Sequence, residues 1–176
     1  VFDLAGPDSK TFTPGQINRA AHFCGGRLQT RVANLGTSYS VSIWFWNGMP
    51  IDSRPVLGWM FGRGQNYSAQ ATGEGLGLNA KGQLIFSNEK ETLTGKANTE
   101  RWKWHHAVLV RDQEKVQGYL DGKLEISSEA NAVSSVETLF LGGLNNKESS
   151  WEGRLDEAAV FDRALSENEV KGLSPR

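Results

Sequence analysis

The most suggestive chemistry in this chain is the placing of large aromatic rings beside amides and guanidinium groups. Trp59, Tyr67, Trp102 and Trp151 fall on or beside segments read as loops, with Arg63, Gln65, Asn66, Asn145 and Asn146 close by in sequence. A flat ring can stack on the apolar face of a sugar while neighbouring polar groups read its hydroxyls. Trp151, Asn145, Asn146, Trp59, Arg63 and Tyr67 form the candidate ligand-binding set. The competing account is that the tryptophans pack the interior, and Trp44 and Trp104 are assigned there.

Catalytic chemistry finds little support. Glycoside hydrolysis needs two acids held about 5–9 Å apart. Glu89 and Glu91 form a pair, but in a charged, solvated run, and Asp156 and Glu157 are adjacent, so on a strand they point to opposite faces. His105 and His106 diverge for the same reason and cannot chelate a metal together. A Gly-x-Ser-x-Gly elbow, a phosphate loop and a His-Glu-x-x-His pair are all missing. The expectation is a protein that is not an enzyme and has no catalytic residues.

Composition narrows the partners. The 176 residues carry 19 Lys+Arg and 20 Asp+Glu, a net charge of −1, so no dominant phosphate-binding face is expected. Lys96, Arg101 and Lys103 flank Trp102 and Trp104, but Glu89, Glu91 and Glu100 dilute that cluster, and nucleic acid is not an expected partner. No stretch approaches the roughly 20 apolar residues of a membrane span, so no membrane insertion is expected. One cysteine, Cys24, excludes an intrachain disulfide and any cysteine-cluster metal site. The chain length suits one domain, residues 1–176, and the start at Val1 without a methionine suggests a piece of a larger protein.

These residues must be positioned by strands. Tyr39 to Trp46 alternates cleanly: Val41, Ile43 and Phe45 face one way, Ser42, Trp44 and Trp46 the other, which suggests cover on both sides. Further strands are read at 21–32 (broken by Cys24-Gly25-Gly26), 56–61, 76–78, 84–86, 104–111, 116–120, 123–126, 136–142 and 154–161, with a short edge strand at 92–93. Residues 62–75 read as a loop. Asp121-Gly122 between two alternating runs predicts a type I′ hairpin. Only Ser166 to Glu169 looks helical, as a capping box. The pattern predicts an all-β, two-sheet antiparallel β-sandwich with one short C-terminal helical turn.

Several fragments, in order, resemble one family. They are Ala21-His22-Phe23-Cys24-Gly25-Gly26, Tyr39-Ser40-Val41-Ser42-Ile43-Trp44-Phe45, Trp104-His105-His106-Ala107-Val108 and Gly118-Tyr119-Leu120-Asp121-Gly122-Lys123. Leu141-Gly142-Gly143 and Trp151-Glu152-Gly153-Arg154-Leu155-Asp156-Glu157 follow, then Phe161 to Ser166 and Glu169-Val170. Together they look like the laminin-G-like, concanavalin A-like lectin/glucanase jelly-roll superfamily, over about residues 20–172.

The resemblance implies a jelly roll used as a lectin-like accessory module in a larger secreted or surface protein. Its implied partners are a glycan or a neighbouring protein domain, and its implied location is extracellular, cell-surface or periplasmic. A protein-interaction or spacer domain is the alternative. The resemblance also implies a structural calcium held by Asp156 and the main-chain carbonyls of Cys24, Gly25 and Gly26, with Asp3, Asp8 or Asn18 completing the shell. Against this stands an Asp156 that only binds backbone N–H groups and fixes the last strand. His106 falls where similar domains often have a core histidine.

Overall fold

A computed structural model of the chain describes residues 12–14, 19–64, 73–88, 90–131, 137–145 and 148–174. Among the described residues thirteen strands run in chain order, beginning with β1 (Phe12–Pro14), β2 (Arg19–Cys24), β3 (Leu28–Arg31), β4 (Tyr39–Asn47), β5 (Val56–Gly64), β6 (Gly73–Asn79) and β7 (Gln83–Asn88). They continue as β8 (Thr92–Asn98), β9 (Trp104–Asp112), β10 (Lys115–Leu120), β11 (Lys123–Glu129), β12 (Thr138–Leu141) and β13 (Glu152–Phe161), and one helix, α1 (Glu167–Leu173), closes the chain. A seven-stranded sheet has the order β1-β2-β13-β4-β9-β10-β11 and a six-stranded sheet the order β3-β12-β5-β6-β7-β8. All pairings between these strands are antiparallel, and an isolated parallel bridge joins Trp59 to Ser150.

The alternation along β4 explains the packing. Val41, Ile43 and Phe45 are fully buried and meet Leu57, Met60, Phe61, Leu76 and Leu78 of the other sheet in one continuous core. This is the expected two-sheet β-sandwich, in a jelly-roll arrangement. Asp121 and Gly122 take φ of 49° and 75°, the positive values that a type I′ turn requires. Strand β5 runs on to Gly64 and β6 begins at Gly73, so the loop read over 62–75 is shorter than its composition suggested. The reason is that Gly62, Gly64, Gly73 and Gly75 pair across the ladder, where a propensity reading sees only turn residues.

One end of the sandwich is sealed by a polar network. Arg111 bonds Glu74 through Nε (3.0 Å) and Nη2 (2.9 Å), and Tyr39 donates its hydroxyl to the same carboxylate at 2.6 Å. Arg111 also reaches the carbonyls of Glu114, Ala130 and Asn131. A buried charge is tolerable only when so fully bonded. Burial, reinforced by Glu74, pushes the Tyr39 hydroxyl well above the usual tyrosine range.

The outer faces of the two sheets are finished differently. On the six-stranded sheet, a Cβ added at Gly75 would lie 2.4 Å from Leu144 Cδ2, and one at Gly77 would lie 2.5 Å from the Gly58 carbonyl and 2.7 Å from the Trp59 ring. The missing side chains make room for Trp59 and for the segment after β12, which folds back so that Ser149 accepts from Trp59 N at 3.0 Å. On the seven-stranded sheet, Leu165 just before α1 and Val170 within it pack onto Val108, Val110 and Tyr119. Ser40 pins this segment by accepting from Leu165 N (2.9 Å) and donating to the Arg163 carbonyl (2.9 Å). The rest of that face carries tryptophans.

Candidate functional site

The site is built by pairing across four strands. Arg154 of β13 lies opposite His22 of β2 on one side and Trp46 of β4 on the other, and Trp46 lies opposite Trp104 of β9. At the usual strand spacing this row, His22–Arg154–Trp46–Trp104, spans about 14 Å. The next row is Asp156–Trp44–His106. Trp44, Trp46, Trp104, Arg154, Asp156 and His22 are all half-exposed, and the tryptophans belong to neither apolar cluster.

Several contacts fix these side chains. The Arg154 guanidinium lies over the Trp46 ring at 4.3 Å, a cation–π contact. Its Nε has no hydrogen-bond partner among the described residues. Burial lowers the Arg154 pKa from the usual arginine value, yet the group stays charged at neutral pH. Trp44 leans on the His106 ring, with centroids 5.0 Å apart. His106 Nε2 lies 2.7 Å from Ser42 Oγ and Nδ1 lies 2.9 Å from Ser174 Oγ. Because Ser174 already donates to the Val170 carbonyl (3.3 Å), Nδ1 carries the ring proton and Nε2 accepts from Ser42. Burial pulls the His106 pKa down to about 4 against the opposing pull of Asp121, so the imidazole is neutral.

At the rim, the turn before β9 holds Trp102, which is 60% exposed. Its amide donates to the Asn47 carbonyl at 3.2 Å, which ties its backbone to the end of β4, one residue past Trp46. Below Arg154, Glu152 is held by Arg54 at 3.1 Å.

The residues singled out from sequence land elsewhere. Trp151 is fully buried in the core, edge-on to Phe45 at 5.8 Å, and its indole N–H has no acceptor there. It offers no ring face to a ligand, because it fills the seam between β5 and β13. Trp59 is 7% exposed, under the segment after β12. Arg63 is 1% exposed and bonds the Leu35 and Gly36 carbonyls at 2.6 and 2.8 Å, beneath the Tyr39 ring. Asn145 is buried at 8%. Tyr67, Asn146, Gln65 and Asn66 lie outside the described residues. Conversely, Trp44 and Trp104, assigned to the interior, stand on the open face. Strand parity already separated Trp44 and Trp46 from the core-facing Phe45; it could not say that part of the sheet's outer face would be left without cover by the described residues.

The calcium set does not converge. Cys24 pairs with Glu152, whereas Asp156 stands four residues further along β13, about 13 Å away at strand rise. Gly25 takes a φ of 78° and donates to the Trp151 carbonyl, a turn that links β2 to the buried tryptophan. Among the described residues no three His, Cys, Asp or Glu side chains are grouped to hold a metal. Asp3, Asp8 and Asn18 lie outside the described residues.

Comparison with known structures extends this picture. Domain 4 of AbnA, an extracellular arabinanase from Geobacillus stearothermophilus solved with arabinotriose, superposes with a TM-score of 0.69 at 19% identity, covering 93% of this chain and 80% of that one. The CBM40 domain of the Ruminococcus gnavus IT-sialidase, in two structures of which one is bound to α2,3-sialyllactose, also gives 0.69, at 12–13% identity, covering 89% of this chain and 96% of that one. A Trypanosoma rangeli sialidase matches at 0.64 and 18% identity, but over only 27% of its own length against 88% of this chain. At these identities the likeness is one of fold. A search of curated protein sequences finds no match. The family model described as the concanavalin A-like lectin/glucanases superfamily matches residues 25–171. The chain belongs to that superfamily, within its laminin-G-like branch.

Proposed function

We propose that this domain is a non-catalytic carbohydrate-binding module and that the half-exposed tryptophan face of the seven-stranded sheet receives the sugar. The observation that carries the reading is the row His22–Arg154–Trp46–Trp104: aromatic rings for the apolar faces of a saccharide, flanked by polar groups for its hydroxyls. Two fold relatives support it, since one was solved in complex with arabinotriose and the other bound to sialyllactose. The acids on this face do not form a hydrolytic pair. Glu152 and Asp156 are four residues apart on β13, about 13 Å, wider than the roughly 5–9 Å of glycosidase carboxylates. An accessory module of this kind works outside the cell, attached to a larger secreted or surface protein.

The test is a printed glycan array probed with the wild-type domain and with Trp46→Ala. Saturable binding that falls at least about tenfold in the variant, with the melting temperature held, supports the reading. Binding to a neighbouring protein domain with no saccharide bound would transfer the face to the interaction reading, for which tryptophan and arginine are equally suited.

A further inference from the structure

Seven described non-glycine residues have positive φ: Asn34, Asp52, Trp102, Gln113, Asp121, Ser149 and Glu157. Six are polar, four of them the Asn, Asp and Ser common in turns. The seventh, Trp102 at φ 65°, is the largest side chain available and is 60% exposed. A left-handed backbone is costly for a bulky residue, and glycine or asparagine would occupy it more cheaply. An indole held out in water adds no packing in return.

The position is nonetheless firmly built. Arg101 bonds the Gly48 carbonyl through Nε (3.0 Å) and Nη2 (2.6 Å) and lies against the Trp102 ring at 4.2 Å. The Trp102 amide is tied to Asn47. One face of the indole is therefore backed by a guanidinium that is itself anchored. The turn leads into Trp104, which pairs with Trp46, so the Trp102 backbone lies two residues before the tryptophan row, just beyond the start of β9.

We propose that Trp102 is the outer stacking residue of the saccharide site, taking the apolar face of a ring that extends past Trp104, and that Arg101 is its positioning residue. The inference rests on the carbohydrate reading above and adds to it that the ligand is an oligosaccharide gripped at two places, on the sheet and at the rim. Backbone strain at an exposed aromatic residue fits a function retained at the expense of stability.

The experiment uses the intact domain against mono- to hexasaccharide probes, including arabinotriose and sialyllactose, with the variants Trp102→Gly, Trp102→Asn and Trp46→Ala. The proposal expects Trp102→Gly and Trp102→Asn to melt at or above the wild-type temperature. It also expects them to lose about tenfold in affinity for the longest probes bound and nothing for the shortest. Trp46→Ala should weaken all lengths alike. Unchanged affinity of both Trp102 variants for every length would overturn the proposal while leaving the sheet-face reading intact. A lowered melting temperature in both would overturn it by making Trp102 structural. If the wild-type domain binds no saccharide of any length, the carbohydrate reading and this one fail together.

Discussion

The two outer faces of the sandwich use tryptophan in opposite ways. On the six-stranded sheet, glycines at 62, 75 and 77 leave a trough, and the chain fills it with Trp59 and the segment after β12. On the seven-stranded sheet, α1 covers Val108, Val110 and Tyr119 but leaves Trp44, Trp46 and Trp104 half-exposed. A tryptophan with glycine opposite it becomes part of the interior. A tryptophan opposite another large side chain, as Trp46 is opposite Arg154 and Trp104, builds a raised platform instead. The residue opposite, more than the tryptophan itself, decides the role.

The sharpest way to break this contrast is to truncate one ring from each class. Trp151→Ala removes a fully buried indole from the seam and should cost about 3–5 kcal/mol of stability, measured by urea denaturation. Trp46→Ala should cost about 1 kcal/mol or less in the same assay. Equal losses would mean that the open face is structural. Trp151→Phe is the finer control: the indole N–H has no acceptor among the described residues, so the cost should be well below that of alanine.

This contrast also marks how far the sequence could be read. The alternation of Tyr39 to Trp46, the Asp121-Gly122 turn and the Ser166–Glu169 capping box are local signals, and all three appear as expected in the structure. The face itself is not local. His22, Arg154, Trp46 and Trp104 come from strands far apart in the chain, and only the β2–β13–β4–β9 order aligns them. Trp151 misled because it sits in a polar, glycine-containing stretch that reads as an exposed loop. What buries it is the close approach of Gly58, where a Cβ would meet the indole at 2.8 Å. Long-range pairing and the space left by glycine are both invisible to propensity.

The filled trough can be tested next. A Cβ at Gly77 meets a backbone carbonyl at 2.5 Å and the Trp59 ring at 2.7 Å, and the carbonyl cannot rotate away. Gly77→Ala should cost about 2–3 kcal/mol by overpacking. A Trp59→Leu change in the same chain should recover part of the loss, because it removes the ring while leaving the strand clash. Full recovery would mean that the ring alone sets the fit; no recovery would mean that the ladder alone does.

A pH titration probes the border between the covered and open halves, where His106 joins Trp44, Ser42 and Ser174. Its pKa is lowered from 6.5 to about 4 by burial, with Asp121 opposing. The unfolded chain therefore binds a proton between those values while the folded chain does not, and stability must fall as pH drops from about 6.5 toward 4. The neighbouring Asp121 acts in the same direction. Burial would raise its pKa, but the hydrogen bonds from His105 and the His106 amide outweigh that and hold it below the usual carboxylate value. The loss through His106 should be about 3 kcal/mol across this window, seen as a falling melting temperature. His106→Gln should flatten that part of the curve and leave the Asp121 part at lower pH.

The smallest effect concerns the cover itself. Helix α1 has seven residues, too few to be stable alone, so its hold on the sheet depends on its ends and on Leu165 and Val170. At the start, Ser166 Oγ accepts from Glu169 N at 3.4 Å and Ser166 N donates to Glu169 Oε2 at 2.8 Å. Arg163 clasps the same carboxylate and, with Ser166, pulls its pKa down to about 2. Ser166→Ala removes the cap bond and the hydroxyl's own 2.8 Å bond to Glu169 Oε2 but leaves the Arg163–Glu169 pair and the Ser40 anchor, so the expected cost is about 1 kcal/mol. Hydrogen exchange should locate it, with faster exchange in α1 and unchanged protection in β4 and β9. If protection fell in β9 as well, α1 would be holding the sheet together. If neither changed, Leu165 and Val170 would be sufficient cover, and the division between covered and open halves would be set by apolar contact alone.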